Sequence, residues 1–306
     1  MEKVQNDVLS GSDSESRLPS DLERLIFETT AQMFPEEIPN LLLTAWRVKA
    51  WLEPLLYRVV LVSSEVRDSF RTIPVDTFVN LIKSKPSGFF EKAVRHLMFC
   101  PGEVSPTNLD LVLAACSRVM NLFLLVDIIT PAELAASNQL RSLTRLALRI
   151  DTLHIADLRS PFLQHVTHLE LLDVEFERHI DLPASLGAVP RLTHLSINFG
   201  LGDADLYARI RNMTQLKCIV FIGSGQAAID EMHLSAENEL DARLVCLFQT
   251  DFHKDWYQGA TIGDDYWAFA DEFIAAKRNG KIDRSRYIIS DNDTSWRASN
   301  KLSFSA

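Results

Sequence analysis

Three stretches decide the reading of this chain: 141–149 (RSLTRLALR), 164–172 (QHVTHLELL) and 190–198 (PRLTHLSIN). Each spaces three aliphatic residues as Φ-x-x-Φ-x-Φ, giving Leu143-Leu146-Leu148, Val166-Leu169-Leu171 and Leu192-Leu195-Ile197. The same arrangement recurs upstream as Val94-Leu97-Phe99 and Val119-Leu122-Leu124, and downstream as Leu216-Ile219-Phe221. Its central residue returns after 25, 24, 23, 26 and 24 residues. A fixed period in that range predicts a leucine-rich-repeat solenoid of α/β class, in which short strands form a curved parallel sheet and helical segments return the chain. Such stacks make binding surfaces far more often than active sites.

Working outward, the 306 residues exceed one average domain, yet a repeat array grows by addition and needs no second core. A hydrophobic fraction of 47% beside 24% charged residues is ordinary for a globular protein with a sizeable core. The formal charge of -10 repels nucleic acid and anionic membrane, so neither is expected as the main partner. Cys100, Cys116, Cys218 and Cys246 are scattered, without the C-x-x-C spacing of zinc or redox sites, and read as small hydrophobes of a reducing compartment. With no apolar signal segment and no run long enough to span a bilayer, the expected location is cytoplasmic or nuclear.

Five segments follow along the chain. Residues 1–17 (MEKVQNDVLSGSDSESR) are polar and acidic, and read as a disordered tail. In 18–62, Ser20 can cap a helix with an apolar stripe of Leu22, Leu25, Ile26 and Met33, ended by Pro35. A second helix is expected from about Pro39 to Glu53, carrying Leu42, Leu43, Trp46 and Leu52, and 57–62 (YRVVLV) reads as a first strand. The repeats occupy 63–250, with helical returns at Asn108 to Cys116, Pro131 to Ala136 and Ala204 to Arg211, and a last strand at Leu244 to Phe248. In 251–289 an amphipathic helix starting at Asp264 or Asp265 uses Trp267, Ala270, Phe273 and Ile274, and is expected to cap the open end of the stack. Residues 290–306 read as a second disordered tail.

The stretch Leu18-Pro19-x-Asp21-Leu22-x-x-x-Ile26-Phe27, followed by a second helix and Pro54-Leu55-Leu56-Tyr57-Arg58, resembles the F-box in the divergent form of fungal F-box-like proteins. Many of those proteins also carry irregular leucine-rich repeats and a C-terminal segment similar to Asp255-Trp256 through Trp267. The resemblance implies a substrate-recognition subunit of an SCF-type cullin-RING ubiquitin ligase. Leu18, Pro19, Leu22, Ile26 and Phe27 would dock on the Skp-family adaptor, and catalysis would belong to other subunits. Trp46-Arg47-Val48-Lys49-Ala50-Trp51 stands where many F-boxes have a Cys-x-x-Trp-type second helix.

If each strand alternates, the Φ residues point inward and their neighbours line the concave face. Three columns result: His96, Asn121, Arg145, His168, His194 and Cys218; Met98, Phe123, Ala147, Glu170, Ser196 and Val220; Cys100, Leu125, Arg149, Leu172, Asn198 and Ile222. Of these, His96, Met98, Phe123, Leu125, Arg145, Arg149, His168, Glu170, His194 and Asn198 combine apolar anchors with polar surroundings suited to a protein target. The competing reading has Phe123, Leu125, Val220 and Ile222 covered by the chain's own loops or terminal segments. His168, His194 and Glu170 on neighbouring strands could meet at a metal, but no fourth ligand is evident, and a surface histidine pair is the preferred reading. Gly223-Ser224-Gly225-Gln226-Ala227-Ala228 matches G-x-G-x-x-A, the turn that presents amides to a dinucleotide pyrophosphate, but too little chain follows for two βαβαβ halves. No nucleophile, base and oxyanion hole assemble, so no enzyme and no cofactor is expected. The alternatives are a repeat scaffold without ligase association and, more remotely, a nucleotide-binding enzyme using Gly223 to Ala228.

Overall fold

The computed structural model describes residues 18–63, 72–100, 104–125, 139–149, 160–172, 186–198, 204–223 and 241–297. They divide into two compact units, split between Leu56 and Tyr57. The first unit is helical. Helix α1 (Ser20–Met33) is followed by a 3-10 turn at Pro35–Glu37, by the single turn α2 (Ile38–Leu41) and by α3 (Trp46–Leu52). Ser20 is the first residue of α1 rather than its cap: Pro19 holds that position, and no side chain caps the end. The expected second helix is two pieces, because the chain turns at Leu42–Thr44 before α3 starts. The core here is small: Ala31, Ile38, Val48 and Leu52 are buried, with Phe27, Leu42 and Trp51 against them.

The second unit is a mixed α/β body around a ten-stranded, all-parallel sheet. Its strands are β1 (Val59–Val62), β2 (Thr72–Ile73), β3 (His96–Phe99), β4 (Asn121–Leu124), β5 (Arg145–Arg149), β6 (His168–Leu172), β7 (His194–Asn198), β8 (Cys218–Gly223), β9 (Leu244–Phe248) and β10 (Ile288–Ser290). From β3 to β10 the order in space is the order in sequence; β2 alone departs, pairing on the far side of β1. Parallel neighbours require a crossover, and the helices that supply it share one face. They are α4 (Val75–Ser84), α5 (Phe89–Ala93), α6 (Pro106–Ala115) and α7 (Ala204–Ile210). Ser105 caps α6 by accepting the Asn108 N–H at 3.3 Å, with Pro106 in the first turn.

The register aligns Leu97, Leu122, Leu146, Leu169, Leu195 and Ile219 side by side, continued by Leu244. All seven are buried in one cluster with Phe78, Val112 and Tyr207 from the crossover helices. Each such aliphatic side chain contributes about 1.5–3 kcal/mol on burial, so the recurrence of this column makes the sheet. A second ladder fixes the strand starts. The Thr144 hydroxyl donates to the Met120 carbonyl (3.1 Å), Thr167 to Thr144 (3.1 Å) and Thr193 to Thr167 (3.2 Å).

The opposite face is not open. Helices α8 (Phe252–Ile262) and α9 (Tyr266–Arg278) lie on it, so α9 covers a face of the sheet and does not cap an end of the array. The physical reason is the apolar character of that face: Cys218, Val220, Ile222, Val245 and Leu247 need a cover, and Trp267, Phe269, Ala270, Phe273 and Ile274 supply it. Residues 290–297, read as tail, belong to the fold. Ser290 pairs in β10, Asp291 accepts from the Thr250 N–H and hydroxyl, and Trp296 is buried against Phe269 and Phe273. The expected tails at 1–17 and 298–306 and the return helix at Pro131 to Ala136 lie outside the described residues. No helix among the described residues is long and apolar enough to cross a membrane.

Candidate functional site

Two arrangements stand out, one in each unit. In the helical unit, Glu23, Phe27 and Ala31 lie four residues apart on the face of α1 that meets α3. Phe27 and Ala31 join the small core, and Arg47 of α3 donates twice to the Glu23 carboxylate, at 2.8 and 2.6 Å. That bond holds Glu23 below the usual carboxylate range, but the pair is solvent-exposed and adds little stability. The apolar stripe of Leu22, Leu25, Ile26 and Met33 points outward. Leu22 is 50% and Ile26 52% exposed, Leu18 and Pro19 are exposed with them, and Phe34 continues the surface. Leu43 (85%) and Trp46 (80%) are the most open large apolar residues of the unit, Trp46 with the Lys49 ammonium 5.1 Å from its ring. Of the five residues assigned to adaptor docking, four are therefore presented to solvent and Phe27 is turned inward.

In the sheet unit, the residues assigned to target binding lie mostly beneath α8 and α9. Met98 and Phe123 are buried with Trp256 and Ala260, and Leu125 packs beside them. Phe123 also stacks on Phe252, ring centroids 5.8 Å apart. Glu170 is buried too, and accepts the Tyr266 hydroxyl at 3.1 Å. Arg145 is ion-paired with Asp265, which at the same time caps α9 by accepting the Ala268 N–H at 3.0 Å. The face assigned to a guest is thus occupied by the chain itself over these positions. His96, Arg149 and Asn198 remain partly exposed towards its margins.

His168 and His194 do come together, with stacked rings 4.0 Å apart, but they are not a surface pair. Trp267 stands edge-on over both, at 5.2 and 5.9 Å, and His194 is buried. Their ring orientation is set by the threonine ladder, since the Thr167 hydroxyl lies 2.8 Å from His168 Nδ1 and that of Thr193 lies 2.7 Å from His194 Nδ1. His194 Nε2 faces both Asp271 oxygens, at 3.2 and 3.3 Å, and this bond holds the Asp271 carboxyl below its ordinary range. Burial drives His168 down to about 3, with the charges of His194 and Arg145 adding to it, so its imidazole is neutral. Among the described residues no group of three side chains is placed to hold a metal.

Between α8, α9 and strands β4 to β6 lies a cavity of about 20 Å³, room for one water molecule, lined by Glu170, Asp255, Asp265, Arg145, Trp256 and Tyr266 among others. Three carboxyls line it together with one guanidinium, that of Arg145, which is paired with Asp265. Glu170 is pushed up to about 7, first by burial, with the Asp265 charge adding and the Tyr266 bond opposing. Asp255 is pushed up to about 8, again first by burial and then by Asp265, Glu170 and Asp291. The approach of α8 to this cluster needs a residue without a side chain, because a Cβ on Gly259 would meet the Asp265 side chain at 2.5 Å.

Sequence reasoning identified Arg145, His168, Glu170 and His194 but missed Asp255, Asp265 and Asp271 as their partners. The capping position of Asp265 was legible; nothing local says that a helix nearly a hundred residues beyond Glu170 lies on its strand. Gly223 ends β8, while 224–228 of the glycine-rich motif lie outside the described residues. The strand order beside β8 has none of the reversal at which dinucleotide sites form. No protein-family model matches the chain, and no curated protein matches it at a significant level.

Proposed function

We propose that this protein is a non-catalytic interaction adaptor: an F-box-like helical unit followed by a leucine-rich-repeat-type solenoid. It would serve as a substrate-recognition subunit of a cullin-RING ubiquitin ligase. The observation that carries the proposal is the outward apolar surface of α1. Leu18 just before α1 and Leu22 and Ile26 on it, three residues of the LP-x-D-L-x-x-x-IF motif, are presented to solvent, while the other face of the helix, Phe27 included, packs into the unit's core. A contiguous exposed apolar surface of this kind marks a protein interface. The docking partner is the small Skp-family adaptor, and the protein target binds elsewhere than on the sheet positions covered by α8 and α9. Neither catalysis nor a cofactor enters this function.

Co-purification of the full chain with a Skp-family adaptor tests it. Wild-type protein forms the complex, and Leu22→Glu combined with Ile26→Glu loses it at least about tenfold without lowering the denaturation midpoint, since both side chains are exposed. A wild-type chain that forms no complex would assign the protein instead to repeat scaffolds without ligase association.

A further inference from the structure

All strands of the parallel sheet begin along one edge, and among the described residues the segments that lead into β3 to β8 carry more cations than acids. Arg58 and Arg95 immediately precede β1 and β3, and the Arg95 N–H donates to the Arg58 carbonyl at 3.0 Å, which puts them on adjacent strands about 4.8 Å apart. Arg118, Arg141 and Arg191 lie in the turns that lead into β4, β5 and β7 and are exposed. His165 stands before β6, 3.4 Å from Arg191, and an exposed Lys217 stands before β8. In a chain of net charge -10, the residues of these turns (91–95, 116–120, 139–144, 160–167, 186–193 and 213–217) include one acid, Glu91, paired with Arg118 at 3.2 Å. Burial and the nearby charges of Arg118 and Arg58 lower the Arg95 pKa, a mark of cations crowded without enough counter-charge. Arg243, before β9, is spent internally on Asp241 and the carbonyls of Arg211 and Met213.

We propose that this edge binds an extended acidic segment of a partner protein, laid across the strand starts. The match is one of charge: long Arg and Lys side chains set on strands about 4.8 Å apart can each reach a carboxylate of an extended acidic chain laid across them. Nucleic acid fits less well. No aromatic side chain is exposed in these turns among the described residues, so bases would find no platform to stack on, and Met120 is the large apolar group on offer. The surface is distinct from the face covered by α8 and α9, and the proposal stands whether or not the helical unit docks on a ligase.

Fluorescence anisotropy with the full chain tests it, using a labelled polyglutamate peptide of about ten residues, a polyglutamine peptide of the same length and single-stranded oligothymidylate, at about 50 mM salt. Polyglutamate is expected to bind at least about tenfold tighter than polyglutamine and to weaken at least about tenfold by roughly 200 mM salt. Replacing Arg118, Arg141, Arg191 and Lys217 by Gln should weaken it at least about tenfold, whereas Lys83→Gln with Lys281→Gln, exposed elsewhere, should not. Should the fourfold variant fold poorly by circular dichroism, Arg141→Gln with Lys217→Gln, at exposed positions without side-chain partners among the described residues, is expected to lose about threefold. Equal binding by the edge variants, equal binding of polyglutamine, or tighter binding of oligothymidylate would overturn the proposal.

Discussion

Glu170 shows how strongly a single position is set by its surroundings. Its native carboxyl, pushed up to about 7, and that of Asp255, at about 8, both titrate well above the roughly 4 expected of an unfolded chain. The native state therefore keeps protons that the unfolded chain has released. Their contribution to stability is complete below about pH 4 and is lost as pH rises to about 8. Glu170→Gln keeps an acceptor for the Tyr266 hydroxyl and removes one of these titrations. Urea denaturation should then show a smaller loss of stability between about pH 5 and pH 8 than in the wild type; an unchanged slope would rule out Glu170 as a source. The presence of Glu170 in the outward column was legible from alternation, but its burial was not, because that depends on Tyr266 arriving from 96 residues away.

Individual elements differ in how far local sequence dictates them. Helix α6 has its cap and first-turn proline in the chain itself, and α9 has Asp265 before it and, at Gly280, a φ of 68° beyond it. Helix α4 carries a clear apolar face, with Phe78, Val79 and Ile82 turned to the core, whereas α5 at five residues is too short to show a period. The stripe of α1 is legible in the sequence but its direction is not, since periodicity reports that a face is apolar, not whether it meets core or solvent. Strand β10 is only three residues, Ile288–Ser290, too short to show alternation, and the segment after it is mostly polar, with Trp296 as its buried anchor. Trp296→Ala should lower unfolding free energy by about 3 kcal/mol in urea titrations, whereas a loss under about 0.5 would mean that this segment merely rests on α9.

For the molecule as a whole, the decisive fact is that both faces of the parallel sheet are covered, one by the crossover helices and one by α8 and α9. That arrangement explains why β8 is buried at every residue and why it reads as a nearly continuous apolar run. It also removes the guest-binding role expected of Met98, Phe123 and Glu170, and leaves the edges of the sheet and the outer surface of the helical unit for recognition. Removing 252–297 would uncover Val220, Ile222, Val245 and Leu247 together with Met98 and Phe123. Such a chain should bind a hydrophobic dye strongly and scatter light at concentrations where the full protein stays clear. A clear, monomeric truncated protein would show that these helices are dispensable.

The sequence by itself determined the parallel sheet, its register from β3 to β8 and the composition of its two faces, because an aliphatic triplet repeated at near-constant spacing can bury its side chains together only if the strands align. Only the tertiary structure decided what covers the second face, which carboxyls meet Arg145 and His194, and that the α1 stripe looks outward. Those outcomes depend on contacts between residues far apart in the chain, and no local period records them.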